Sequence, residues 1–326
     1  MKIVFMGTPE FAVPTLEALI ESDKHEVVAV ISQPDKPKGR GKKLQPTPVK
    51  EVALEHNIPV YQPERIKDEA FMDELEKLEA DFFVVVAYGQ ILSLRLLMMP
   101  KYGCLNVHGS LLPKYRGAAP MQWSIINGDP TTGITIMFMN EKCDEGDMVL
   151  KKEIYIDADE TTGMLYDRMK MIGADCLIEA LDLIEAGKAR PVPQDNSMAS
   201  YAPMIRKSMC QINWEDTSEH ICNKIRAFNP APGAFTFRGD EMVKIYSAKP
   251  DYVYTGRPGR VVNVDPKKGF NIATKDGSIL VEYICAPGGR VMRSTDYMRG
   301  HEILVGEKFE YNHVFKVHVT MPKGQK

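Results

Sequence analysis

Residues 82–87 read Phe-Phe-Val-Val-Val-Ala, and residues 104–108 read Cys-Leu-Asn-Val-His. The first run is almost wholly apolar over the length of one strand, the pattern of a central parallel strand covered on both faces. Toward the amino terminus, Glu26–Ile31 (EVVAVI) and Lys2–Met6 have the same buried character, and Pro9 suits the first turn of a helix carrying Phe11, Leu16, Leu19 and Ile20 at helical spacing. Toward the carboxyl terminus, Gly133–Met139 (GITIMFM) is a further strand, and helical stretches such as Asp68–Leu78 intervene. Strands alternating with helices predict an α/β fold with a doubly wound parallel sheet.

The texture changes further along. Thr161–Gly187 predicts one long helix, with Leu165, Met169, Ile172, Cys176 and Ala180 on one face and Gly187 as terminator. Residues 188–203 hold Pro191, Pro193, Asn196, Ser197, Ser200 and Pro203, a linker composition. Beyond about residue 206 the strand-like pieces are short: Ala234–Arg238, Val243–Ala248, Arg260–Val264, Gly269–Thr274 and Ile279–Cys285. One helix is expected at Glu219–Phe228 and a hairpin turn at Asp276-Gly277. Short strands with turn signals predict a second, smaller β-barrel domain. The expected division is therefore 1–188, a linker at 189–206, a barrel at 207–312 and a tail at 313–326.

Length and composition agree. A chain of 326 residues favours two domains, and 44% hydrophobic with 26% charged residues is ordinary globular composition. No apolar run approaches the ~18–20 residues of a membrane-spanning helix, and a cytoplasmic protein is expected. The six cysteines are scattered, without the paired spacing of a disulfide framework or zinc site. The net charge of −3 conceals an asymmetry: residues 1–205 carry 22 basic and 31 acidic side chains, residues 206–326 carry 19 and 13. An acidic part joined to a basic part suggests different partners, although a solvated surface explains the excess equally well.

Asn106 and His108 lie two apart on a strand, so both project from one face. Asp144 follows the next strand, in the loop NEKCDEGD. The three suit acyl transfer to an amine without a covalent intermediate. An asparagine amide donates where oxyanion charge develops. A histidine takes the amine proton when neutral or stabilises the oxyanion when charged. An aspartate orients the imidazole or relays protons. The residues alone leave alternatives open: a strand-end histidine is often a packing residue, and Asp144 beside Glu145 and Asp147 also suits a solvated or metal-binding loop.

The string Ser110-Leu111-Leu112-Pro113-Lys114-Tyr115-Arg116-Gly117-Ala118-Ala119-Pro120, preceded by Asn-Val-His and followed by Asp-Glu-Gly-Asp, resembles the signature of the formyl-folate-dependent formyltransferases. The resemblance implies a Rossmann-like fold, 10-formyltetrahydrofolate as donor, no metal, and Asn106, His108 and Asp144 as the catalytic trio. It also implies folate contacts from Ser110, Leu111, Leu112 and Pro113 and from Tyr88, Gly89, Gln90, Ile91 and Leu92, a segment similar to the family's pterin-pocket loop.

Residues 34–50, PDKPKGRGKKLQPTPVK, carry six basic side chains against Asp35 alone. Glycines leave the loop flexible and prolines oppose a helix; such a loop can track a phosphate backbone. It resembles the inserted loop of the family branch whose acceptor is the methionyl group on initiator tRNA, as does the opening MGTPEFAVPTLEAL. The resemblance implies tRNA contacts from Lys36, Lys38, Arg40, Lys42, Lys43 and Lys207 and an OB-like second domain; a monomer is the default expectation. Met204 and Ala231 depart from that branch, which usually has lysine and tryptophan there. Three other readings are weaker, the nearest being a formyltransferase of the same family with an amino-sugar or purine-precursor acceptor, which gives no reason for the 34–50 loop. A dinucleotide-dependent oxidoreductase would need a G-x-G-x-x-G after the first strand, where Pro9 replaces the second glycine. A non-catalytic RNA-binding protein leaves the Asn-His-Asp set unexplained.

Overall fold

The structure, a computed structural model, describes residues 1–39 and 41–312; Arg40, the side chain of Lys38 and the expected tail lie outside the described residues. The strands of the first half are β1 (Lys2–Gly7), β2 (Glu26–Ile31), β3 (Lys36–Lys38), β4 (Lys43–Gln45), β5 (Val60–Tyr61), β6 (Phe82–Val86), β7 (Cys104–His108), β8 (Thr131–Phe138) and β9 (Met148–Tyr155). The helices are α1 (Val13–Glu21), α2 (Pro48–Glu55), α3 (Glu69–Glu76), α4 (Leu94–Met98), α5 (Pro120–Ile126) and the long α6 (Thr162–Glu185). Contacts divide the chain into two compact units. The first comprises 1–120, 131–155 and 164–202; the second comprises 121–130, 156–163 and the chain from 203 onward.

In the first unit the sheet order is β5-β2-β1-β6-β7-β8-β9. The five strands from β5 to β7 are parallel, as the buried runs predict. β8 and β9 run antiparallel at one edge of this sheet. The reason is visible in β9, MVLKKEIY: its charged residues are exposed, so this edge is half-solvated and need not follow a buried crossover. At the centre, Val4, Met6, Ala29, Ile31, Phe83 and Val85 share one face by their two-residue spacing and pack on Met72, Leu75, Leu96 and Leu97. The alternate residues Ile3, Phe5, Val30, Phe82 and Val84 are buried as well, so both faces are covered.

Gly7 ends β1 where a Cβ would meet Ala12 Cβ at 2.8 Å and the Val86 carbonyl at 3.0 Å. It serves close packing of the chain. The helix behind it starts as a turn of 3₁₀ helix, Glu10–Ala12, after Pro9, and becomes α-helical at Val13. Asp68 caps α3, its side chain accepting from the Phe71 N–H.

The basic insertion is a short antiparallel hairpin, β3 paired with β4, Lys36 opposite Gln45 and Lys38 opposite Lys43. The segment expected as linker is tied into the first unit up to Ala202: Val192 pairs with Met148, and Tyr201 with Arg116. Its prolines exclude regular structure but leave carbonyls and N–H groups that find partners outside the segment.

The second unit contains α7 (Ser218–Ala227), β10 (Ala234–Arg238), β11 (Glu241–Asp251), β12 (Val261–Asp265), β13 (Gly269–Ala273), β14 (Ser278–Cys285), β15 (Met292–Arg293), α8 (Ser294–Gly300) and β16 (Phe309–Glu310). Its antiparallel sheet runs β12-β13-β14-β11-β10-β16 and curls. Its ends meet: Val261 N–H donates to the Glu307 carbonyl and Phe309 N–H to the Gly259 carbonyl, with Arg260 bridged to Lys308. This is the expected second β domain, stabilised by closure that hides strand edges.

Candidate active site

Asn106 and His108 project from the same face of β7. Asn106 is half-buried, and its amide has no hydrogen-bond partner among the described residues. His108 is 6% exposed. Its Nε2 lies 2.9 Å from the Tyr115 carbonyl oxygen. A carbonyl can only accept, so Nε2 carries the hydrogen. The other ring nitrogen, Nδ1, faces Asp144 with a separation of 3.8 Å from Oδ2. That separation is an ionic contact longer than a hydrogen bond.

Asp144 reaches this position by an indirect route. β8 is antiparallel to β7, so its exit at Phe138 stands opposite Leu105, whereas His108 stands opposite Thr135. The segment 140–147 must double back from one end of β7 toward the other. Two features allow it. Asp144 adopts φ +55, a left-handed conformation that aspartate tolerates better than most residues. Gly146 lies where a Cβ would fall 1.6 Å from the Phe138 carbonyl oxygen. The Asp144 carboxylate is anchored by the Gly117 N–H at 2.8 Å, and Cys143 Sγ sits 3.5 Å from the same oxygen. Burial, aided by the Asp144 charge, pushes the Cys143 thiol up to about 11, so it stays protonated beside that carboxylate.

The segment 110–113 is held from β8. Thr135, fully buried, donates to the Ser110 carbonyl at 2.7 Å and accepts from the Leu112 N–H at 3.1 Å. Lys151 Nζ donates to the Leu112 carbonyl at 2.8 Å; burial pulls this lysine below its ordinary value. Ser110 is itself buried and donates to the Lys114 carbonyl.

The loop 88–92 begins with two left-handed residues, Ala87 (φ +48) and Gly89 (φ +94). Tyr88 is 2% exposed and its hydroxyl has no partner among the described residues; burial holds its phenol up near 12. The Tyr88 carbonyl accepts from Thr8 Oγ1 at 3.0 Å. Gln90 knots the loop to 63–66, accepting from the Ile66 N–H at 2.9 Å. Leu92 is buried, whereas Ile91 is 78% exposed despite being apolar. An open cleft of ≈ 760 Å³ borders Gly89, Gln90, Ile91 and residues 65–70. A planar, amide-bearing heterocycle fits this setting: exposed backbone at Gly89, an apolar side chain at Ile91, and a buried Gln33 Nε2 that has no partner among the described residues.

Of the basic residues singled out, Lys36, Lys42 and Lys43 are exposed on the hairpin, and Lys207 is exposed on a short 3₁₀ turn in the second unit. Lys50, counted in the same basic run, instead pairs with Asp35 at 2.7 Å and Gln62 at 2.8 Å. Lys36, Lys42 and Lys43 thus lie on the first unit and Lys207 on the second, while Asn106, His108, Asp144 and the segments 88–92 and 110–113 belong to the first. No sequence pattern pointed to Thr135, Lys151 or Gln194. Arg116 stood in the signature string without a role, yet it is 2% exposed, and a buried arginine marks a structural or functional node.

The fold and site define a one-carbon acyl transferase, and comparison with known proteins agrees. The formyl transferase family model matches residues 1–181, and the model of the formyl transferase C-terminal domain matches residues 204–302. The chain belongs to the formyl transferase family. Within it, the chain is 47% identical to the methionyl-tRNA formyltransferase of Ruminiclostridium cellulolyticum, over 94% of this chain and 99% of that one. Among solved structures it is similar to an N-formyltransferase from Helicobacter canadensis in complex with folinic acid and dTDP-3-aminofucose, with TM-score 0.64, 20% identity, and 86% and 98% of the two chains covered. It is also similar to HypX from Aquifex aeolicus in complex with tetrahydrofolic acid, with TM-score 0.59 and 18% identity; 91% of this chain covers 47% of that one, about half its length.

Proposed function

We propose that this enzyme transfers a formyl group from 10-formyltetrahydrofolate to the α-amino group of methionine on initiator methionyl-tRNA, for initiation of protein synthesis. The observation that carries the reading is the convergence of Asn106, His108 and Asp144 on one face of β7 in a chain that matches methionyl-tRNA formyltransferase almost end to end.

The donor supplies an activated formyl carbon on a nitrogen leaving group. The residues around it divide the remaining work. The loop 88–92 and the segment 110–113 hold the donor. The free amide of Asn106 donates toward the formyl oxygen as negative charge develops there. His108 Nδ1 is the atom that exchanges a proton, because Nε2 is committed to the Tyr115 carbonyl. Asp144 stabilises the imidazolium across the 3.8 Å gap. The amine forms the new N–C bond and loses one proton; the folate nitrogen loses its bond to carbon and gains one. Lys36, Lys38, Lys42 and Lys43 on the hairpin, with Arg40, Lys207 and the basic second unit, take the phosphates of the acceptor. The reaction requires no metal, and the enzyme acts as a cytoplasmic monomer with a catalytic part at 1–188 and an RNA-binding part at 207–312. Formyl transfer from 10-formyltetrahydrofolate to methionyl-initiator tRNA, assayed beside free methionine and an amino-sugar nucleotide, tests the reading. Turnover on the tRNA that weakens with salt supports it; turnover confined to a small acceptor sinks the assignment of the acceptor.

A further inference from the structure

The side chain of Gln194 is used in full, and by groups that leave its amide no freedom. Its Oε1 accepts from Arg116 Nε at 3.1 Å and Nη2 at 2.9 Å. Its Nε2 donates to the Asp144 carbonyl and to the Gly146 carbonyl, both at 2.8 Å. A guanidinium offers only donors and a carbonyl only acceptors, so the amide is correctly oriented one way round. Arg116 is fixed in turn: Nη2 also donates to Asn196 Oδ1 at 2.7 Å, and Nη1 lies 3.3 Å from Glu145 Oε1. The residue after Arg116 supplies the Gly117 N–H that anchors the Asp144 carboxylate. The Arg116 main chain is itself clamped between the Ser200 carbonyl and the Ala202 N–H.

Asp144 needs such support. At φ +55 its backbone lies in the left-handed region, which carries a conformational cost that its neighbours must offset. Its carboxylate is held by one backbone donor, and its own carbonyl by Gln194. We propose that Gln194, locked by Arg116, is the positioning residue that keeps Asp144 aimed at His108, so that a segment outside the signature string sets the rate of proton transfer. The proposal rests on the role given to Asp144 above. Gln194 touches no reacting atom; it acts through Asp144.

Gln194→Glu tests it. The glutamate keeps the length and pairs with Arg116, but presents an acceptor to the Asp144 and Gly146 carbonyls. The expected result is a fall in kcat of about tenfold or more, from losing two hydrogen bonds to buried acceptors, with KM for donor and acceptor nearly unchanged. Hydrogen exchange in the substrate-free protein is expected to speed by a similar ~10-fold factor across 140–147 and not elsewhere in the first unit. Placed in an Asp144→Ala background, the substitution should slow the residual rate no further. Gln194→Met, which has similar volume and no donor, is read the same way if the glutamate variant does not fold. Wild-type exchange and turnover in both variants overturns the proposal, as does faster exchange spread over the whole unit. A full further loss in the Asp144→Ala background also overturns it, because Gln194 then acts by another route. Near-normal turnover of Asp144→Ala alone removes Asp144 from the reaction, and the failure then lies with the site assignment.

Discussion

At the scale of single residues, the arrangement at His108 assigns distinct tasks to its two nitrogens. Nε2 is held by the Tyr115 carbonyl, which sets the plane and tautomer of the ring, and Nδ1 faces the Asp144 carboxylate. Replacing His108 with Ala is expected to lower kcat by about 10²–10⁴-fold while circular dichroism stays native. A fall in kcat smaller than tenfold would remove the ring from proton transfer. Asn106→Ala is expected to cost about 10²–10³-fold in kcat with donor affinity intact, as loss of an oxyanion donor does. Unchanged kcat with a raised KM would instead make Asn106 a binding residue. Asn106, His108 and Asp144 were legible as candidates because they flank a distinctive string of residues. Thr135, Arg116 and Gln194 were not, because a buried polar side chain shows its purpose only through partners far along the chain.

At the scale of elements, β8 carries the segment 110–113 through one hydroxyl. Thr135→Val preserves shape but leaves the Ser110 carbonyl and the Leu112 N–H buried and unpaired. A loss of about 1–3 kcal/mol in unfolding free energy is expected, measured by urea titration. A neutral result would mean that the segment finds other partners. The hairpin β3–β4 tests the acceptor assignment. Its ladder keeps Lys43 on a defined edge, with Lys42 (φ +46) at the turn, so the insertion has a shape that its glycines and prolines alone did not suggest. Lys42→Glu with Lys43→Glu is expected to raise KM for tRNA severalfold at low salt and to leave donor binding unchanged. Equal kinetics at all salt concentrations would detach the hairpin from the acceptor. β11 runs longer than the expected Val243–Ala248, from Glu241 to Asp251, whereas the boundaries of α6, α7, β10 and β12 to β14 followed from periodicity and turn residues. The short strands β5, β15 and β16 did not, since two residues are too few to show a period.

At the scale of the whole molecule, stability is linked to pH through a buried imidazole. His25 is 8% exposed, and neither ring nitrogen has a partner among the described residues. Burial pulls its pKa below the ordinary value of 6.5, and the nearby amino terminus adds to the effect. The unfolded chain therefore takes up this proton at higher pH than the folded chain does. The stabilisation is complete above 6.5 and is lost as pH falls from there through the depressed folded value. Substituting His25 with Phe should flatten the decline of Tm between about pH 7 and 5. A wild-type slope in that variant would show that other groups carry the acid sensitivity.

Taken by itself, the sequence determined the class of fold and the existence of a second β domain, and it marked Asn106, His108 and Asp144 and the segments 88–92 and 110–113 as candidates. These are written in local terms: apolar runs fix buried strands, a two-residue spacing fixes a shared face, and a contiguous string of residues marks a site. Only the tertiary structure decided that β8 and β9 run antiparallel, that 140–147 must therefore double back to bring Asp144 to His108, and that Gln194 and Arg116 hold it there. Strand direction at a half-solvated edge depends on which chain segment packs beside it, and hydrogen bonds between residues 50 to 80 positions apart leave no period and no spacing in the chain. Such contacts exist only once the backbone has closed the loops that join them.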